Sequence, residues 1–330
     1  MLINNITELK QYIPVSLQLD FSDIQPKVIM VERDIIKKKF SKEIYAHLIS
    51  AVQAENSPEA ELLQLLSEAT AHLALLEYIS FGQVNLDSSG IHIQSTENIK
   101  TAFEWQVSEL KNSLSKQGWS AIELALELME TLPTGDLKTL WEDTETYQAA
   151  QSSLISTLRQ FQRFVHLGDS RVLFHKLLPT LHYQQEEVIS EAVGPDFWQK
   201  ILSYASETDP AQKARLNTAH IKASRALAFA TIGEGFMDTM LILSDNGPLI
   251  LDGLQSRITT SKATAPQELV QQIAASYAKK ADGALTELLE YCQAQSAHFP
   301  EYTLSSNYIS DENQETHIPR NDPDAGLVFL

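Results

Sequence analysis

The chain has one cysteine, Cys292, in 330 residues. A single thiol excludes an intrachain disulfide and a thiolate metal cluster. Cations are scarce as well: 25 Lys and Arg stand against 43 Asp and Glu, for a formal net charge of -18. A surface so acidic repels the phosphate backbone of nucleic acid and keeps the chain dissolved. No window reaches the roughly 18 apolar residues that a membrane span needs. The first residues, Met1-Leu2-Ile3-Asn4-Asn5, carry neither the basic region nor the apolar run of a signal peptide, so no export address is expected. Phosphate-loop, HExxH and GxSxG spacings do not occur.

What the chain does have is a repeat. Phe21, Ile24, Pro26, Val28, Ile35, Ile36, Ile44, Tyr45, Leu48 and Ile49 recur as Phe174, Leu177, Pro179, Leu181, Val188, Ile189, Phe197, Trp198, Ile201 and Leu202, each 153 residues later. Every exchange keeps bulk and apolarity. Self-similarity of this kind specifies two copies of one structural unit, and Tyr45 and Trp198 are expected to be buried equivalents.

Apolar spacing within each copy is helical. Asn5 with Glu8 reads as a capping box, Ser57-Pro58 and Asp209-Pro210 read as N-cap and first residue of a long helix, and Ser120 with Glu123 as another helix start after a stop at Gly118. Alternation around Asp87-Ser88-Ser89-Gly90 and around Ser244-Asp245-Asn246-Gly247 predicts a β-hairpin in each copy. The expected fold is mainly α: two tandem homologous helical-bundle units, each with a small hairpin, plus an extended tail. Residues 1–135 form unit 1 with its hairpin near 83–95, and 136–151 a polar connector. Residues 152–297 form unit 2 with its hairpin near 240–252, and 298–330 an extended acidic tail.

Chemistry is thinly signalled. His182 and Glu186 are four apart and His72 and Glu77 five apart, and neither pair brings a third ligand at useful spacing. Gly233-Glu234-Gly235 follows a helical pattern and lacks phosphate-loop spacing. Cys292 lies on an apolar helical stripe and reads as packing. No catalytic, cofactor or metal residues are therefore assigned, and the chain is not expected to be an enzyme. Two contact features stand out. Arg33, Lys37, Lys38, Lys39 and Lys42 form the one basic island, a solvated helix end or a contact for an acidic neighbour. Leu327, Val328, Phe329 and Leu330 close an acidic tether and read as a frayed terminus or as an anchor that docks on a neighbour.

The segments "ITELKQYIPV", "YISFGQVNLDSSGIHI", "FEWQVSELKNSLSKQGWSAIELALELME" and "FVHLGDSRVLFHKLLP" resemble an uncharacterised family of phage and prophage proteins, over Leu2 to about Gln295. By architecture, each unit is similar to the head-tail connector (adaptor) proteins of tailed phages. That resemblance implies a structural protein of the virion neck or tail, made in the host cytoplasm. It would assemble with copies of itself as a ring, against the portal and other neck proteins, with DNA passing through unbound and no membrane involved. The rival readings are a soluble helical scaffolding protein outside any virion and a hydrolase with a site between the units.

Overall fold

The computed structural model describes residues 1–13, 19–50, 57–82, 84–87, 90–93, 103–168, 170–242 and 267–310. They are mainly helical. Packing divides the chain into two compact units, Met1–Leu178 with Met237–Val270, and Pro179–Phe236 with Gln271–Leu330.

In the first unit, α1 (Ile6–Tyr12) starts at a reciprocal cap. Asn5 Oδ1 accepts from Glu8 N at 3.0 Å, and Asn5 Nδ2 donates to Glu8 Oε1 at 2.6 Å. Helix α2 (Phe21–Val31) passes without interruption into a π-helical turn (Glu32–Ile36) and then α3 (Lys37–Phe40). Ser41 breaks this run at φ 81°. Its hydroxyl then accepts from Ile44 N at 3.2 Å to start α4 (Lys42–Ser50). Helices α5 (Pro58–Gly82) and α6 (Glu104–Thr131) form the long pair of the unit. Ile24, Val28, Ile36, Phe40, Ile44, Leu62, Leu66, Ile122 and Leu126 fill its core.

Gly118 does not end a helix, and Ser120 does not begin one, because α6 runs through both. A Cβ at Gly118 would stand 2.7 Å from Leu73 Cγ. The glycine is there to let α6 approach α5. Between the two helices, β1 (Val84–Asp87) pairs antiparallel with β2 (Gly90–Ile93), Val84 facing Ile93. A hairpin in each copy is not supported. Residues 240–242, the start of the second one, are the end of a helix, and 243–252 lie outside the described residues.

The expected connector is a folded part of the first unit. Helices α7 (Asp136–Glu142) and α8 (Glu145–Gln151) bury Leu137 and Trp141, and Trp141 packs on Phe40 with ring centroids 6.4 Å apart. The short α9 (Leu158–Phe161) follows, and Phe161 meets Phe174 edge-on at 6.0 Å.

The second copy repeats the same devices. Helix α10 (Arg171–Gln184) leads into a π-helical turn (Gln185–Ser190) and α11 (Glu191–Val193), and Gly194 breaks the run at φ 87° before α12 (Pro195–Leu202). Ser41 and Gly194 are again 153 residues apart, as are Glu32 and Gln185, the first residues of the two π turns. Asp209 caps α13 (Pro210–Ile242) through Ala211 N and Gln212 N. Gly233 lies inside α13, where an added Cβ would stand 3.1 Å from Ala278 N on α14 (Gln267–Ala294). It is another close helix crossing.

The expected tail also begins later than 298. Phe299 and Tyr302 are buried against Phe197, with centroids 4.7 and 5.8 Å away. Tyr302 meets Tyr308 edge-on at 6.1 Å, as Trp141 meets Tyr147 at 6.3 Å in the first copy. Both pairs are six residues apart and the copies are offset there by 161. Residues 136–150 and 298–310 are thus the same closing segment of the repeat.

Candidate functional site

The basic island does not hold together as one patch. Arg33 is committed to Asp34, Nη2 to Oδ2 at 2.7 Å, and Lys38 Nζ lies 3.5 Å from the same carboxylate. Asp34 accordingly sits below the usual carboxylate range, chiefly through its hydrogen bonds from Arg33. Lys37 turns over the Tyr45 ring at 4.0 Å, and Lys39 points to Trp119 at 5.7 Å. Burial pushes the Lys39 amine below its ordinary pKa, and Lys176 adds to that shift. Lys42 is exposed. Wrapped round a helix end, these cations leave only a short solvated strip.

A denser charged cluster, which no local sequence pattern announces, joins α6 to the start of α10. Glu123 accepts from Ser170 Oγ at 2.8 Å, Arg171 N at 2.6 Å and Val172 N at 3.2 Å. Those amides are the unsatisfied donors of a helix start, so Glu123 caps α10 from another helix. Arg171 then reaches back, with Nη2 3.2 Å from Glu127 and Nε 3.0 Å from Glu130. Burial lifts the Glu130 carboxyl above its ordinary pKa, with Arg171 opposing the shift and Glu127 adding to it. Beside the clamp, burial together with Lys39 and Arg171 lowers His175 to about 4, so its ring is neutral at pH 7. Glu123, Glu127 and Glu130 repeat at four and three residues, the one sign in the sequence that they share a helix face.

This arrangement fixes one helix on another and offers no nucleophile or proton relay. His72 Nδ1 is bonded to Glu68 O at 2.8 Å within its own helix. His182 lies in the last turn of α10 and Glu186 in the π turn that continues it, and no third ligand joins them among the described residues. Cys292 is buried, and burial raises its thiol to about 12. Among the described residues no three His, Cys, Asp or Glu side chains are placed to hold a metal ion. No helix among them is long and apolar enough to cross a membrane. An open groove of about 690 Å³ between α1 and α5 is lined by Glu8, Tyr12, Gln64, Ser67 and Glu68, but Glu8 is already spent on the caps of α1. Leu327 to Leu330 lie outside the described residues.

A family model matches the chain twice, over residues 31–150 and 189–312; its description is "Family of unknown function (DUF6712)". The chain belongs to this family. One matched segment falls in each copy, and each extends past the aromatic pair of its closing segment. No curated protein and no solved structure matches it.

Proposed function

We propose that the chain is a structural subunit of a phage-like particle. In this reading it is a head-tail connector whose copies form a ring between portal and tail, around a channel through which DNA passes. The observation that carries the reading is what the two copies keep and what they exchange. Both keep the buried apolar positions, the π turn, the positive-φ break and the closing aromatic pair. The buried hydrogen-bonded pair is exchanged: Glu32 becomes Gln185 and Tyr45 becomes Trp198. A duplication that preserves the packing and exchanges its buried Glu–Tyr pair supports a building block over a catalyst. The net charge of -18 favours a wall past which DNA slides without adhering. Ring closure would use heterologous contacts between copies, and the terminal Leu327 to Leu330 are proposed to dock on a neighbour.

The test is native mass spectrometry with negative-stain imaging of the purified full-length chain, alone and with a portal protein. Closed rings of about a dozen copies around an open centre are expected. Particles that stay small in both conditions would overturn the connector reading in favour of a scaffolding protein outside a virion.

A further inference from the structure

We infer that α6 carries a seam on which a second copy of this chain docks, antiparallel and about a two-fold axis at Gln117. One exposed stripe of α6 reads Leu110, Ser113, Gln117, Ser120, Leu124, at alternating steps of three and four residues. The two leucines are 42 and 49 % exposed. No charge falls on the stripe, in a chain whose acidic surface pushes copies apart. A contact between two such chains must be made where carboxylates are missing, and this stripe supplies about 21 Å of helix without one.

The stripe also identifies its own partner. Read in either direction it is Leu-Ser-Gln-Ser-Leu. Laid antiparallel on itself, it sets Leu110 against Leu124 of the second copy and Gln117 against Gln117. Ser113 and Ser120, four and three residues from the axis, do not face each other, so the match of an isologous contact is made at the centre and at the two ends. The equivalent stripe of α14, 163 residues on, is Ile273, Ser276, Lys280, Gly283 and Glu287. There Lys280 would face Lys280, and Glu287 is already paired with Lys222 and Arg225. Of the two equivalent stripes, that of α6 alone is free of charge. A single helix pair buries less than the roughly 1,200–2,000 Å² of a standard stable interface, so the dimer is concentration-dependent.

The seam does not depend on the connector reading, since a ring needs a heterologous contact and this one is two-fold. Sedimentation velocity of the full chain over a wide concentration range tests it. The expected result is a reversible monomer–dimer equilibrium that Gln117→Lys weakens by at least about tenfold, through like charges across the axis. Because Gln117 is exposed, the variant should keep the wild-type melt. As a second readout, Gln117→Cys should be captured as a dimer by a short bis-maleimide, while Asn112→Cys, off the stripe, should not. The one native thiol, Cys292, is buried and does not compete. A wild-type chain that never dimerises, a dimer indifferent to Gln117→Lys, or equal capture of the two cysteine variants would overturn the seam. Rings that persist in Gln117→Lys would leave the connector reading standing without it, and a two-fold dimer with no rings would do the reverse.

Discussion

The Tyr45 hydroxyl donates to Glu32 Oε2 at 2.7 Å, and the residues 153 positions later are Trp198 and Gln185. Glu32 is 2 % exposed, and its other oxygen accepts from Leu2 N at 2.5 Å, so the carboxylate is held by two donors inside the first unit. Tyr45 is half-buried, whereas Trp198 is fully buried and its indole N–H has no protein partner. The two are equivalents in position but not equally buried. Tyr45→Phe should cost about 1.5–3 kcal/mol in a denaturant titration, since it removes a hydrogen bond to a charged group. Trp198→Ala should cost roughly 3–5 kcal/mol, the range for deleting a buried large aromatic. A loss below about 1 kcal/mol for Trp198→Ala would show that it is not a core anchor.

Ser41 and Gly194 occupy the same positive-φ break, so substitutions there should differ in sign. Gly194→Ala puts a Cβ 3.1 Å from Ser305 Cβ and strains the backbone, for an expected loss of about 1–3 kcal/mol. Ser41→Gly relieves that strain and gives up only the cap to Ile44 N, worth a few tenths of a kcal/mol for glycine. Thermal melts of the two variants should therefore move in opposite directions, and a parallel loss would contradict the shared geometry.

His175 makes the fold sensitive to acid. Its folded pKa of about 4 lies below the unfolded value near 6.5, so between those pH values the unfolded chain binds more protons. Stability should fall as pH drops through that window, by at most about 1.4 kcal/mol per pH unit from this group. Glu130 acts in the opposite sense. Its raised folded pKa makes stability decline as pH rises from the ordinary carboxylate value to the raised one. His175→Gln should flatten the acid limb of the stability curve, and an unaltered limb would show that the ring is not desolvated.

The end of the second copy can be located by truncation. Removing 311–330, and with it Leu327 to Leu330, should leave the melt of the isolated chain nearly unchanged. Removing everything from Ser296 deletes Phe299 and Tyr302, both fully buried, at roughly 3–5 kcal/mol each, and should sharply lower the melt of the second unit. Equal melts for the two truncations would refute the closing segment.

The repeat was legible because Ile24, Val28, Ile36, Ile44 and Leu48 keep their spacing through the π turn in both copies, and comparison of copies needs no knowledge of the hydrogen bonds between. The turn itself was not legible, since apolar periodicity records which residues face inward and not whether an amide bonds four or five residues back. The closing segments were missed for another reason. Trp141 with Tyr147 and Tyr302 with Tyr308 are pairs six residues apart in polar stretches, a spacing that matches no helical period. Gly118 misled as a helix stop because a glycine at a helix crossing and one at a helix end look alike in sequence. The Glu123–Arg171 clamp joins residues 48 apart, a pairing that no local pattern announces.

The most direct test of the duplication is an experimental structure of the whole chain, with residues 21–50 and 136–147 overlaid on 174–203 and 297–308. The expected result is the same order of helix, π turn and positive-φ break in both, with Trp141–Tyr147 falling on Tyr302–Tyr308. A different connectivity in the two halves, or an ordinary α-helical Gly194 beside a positive-φ Ser41, would contradict it.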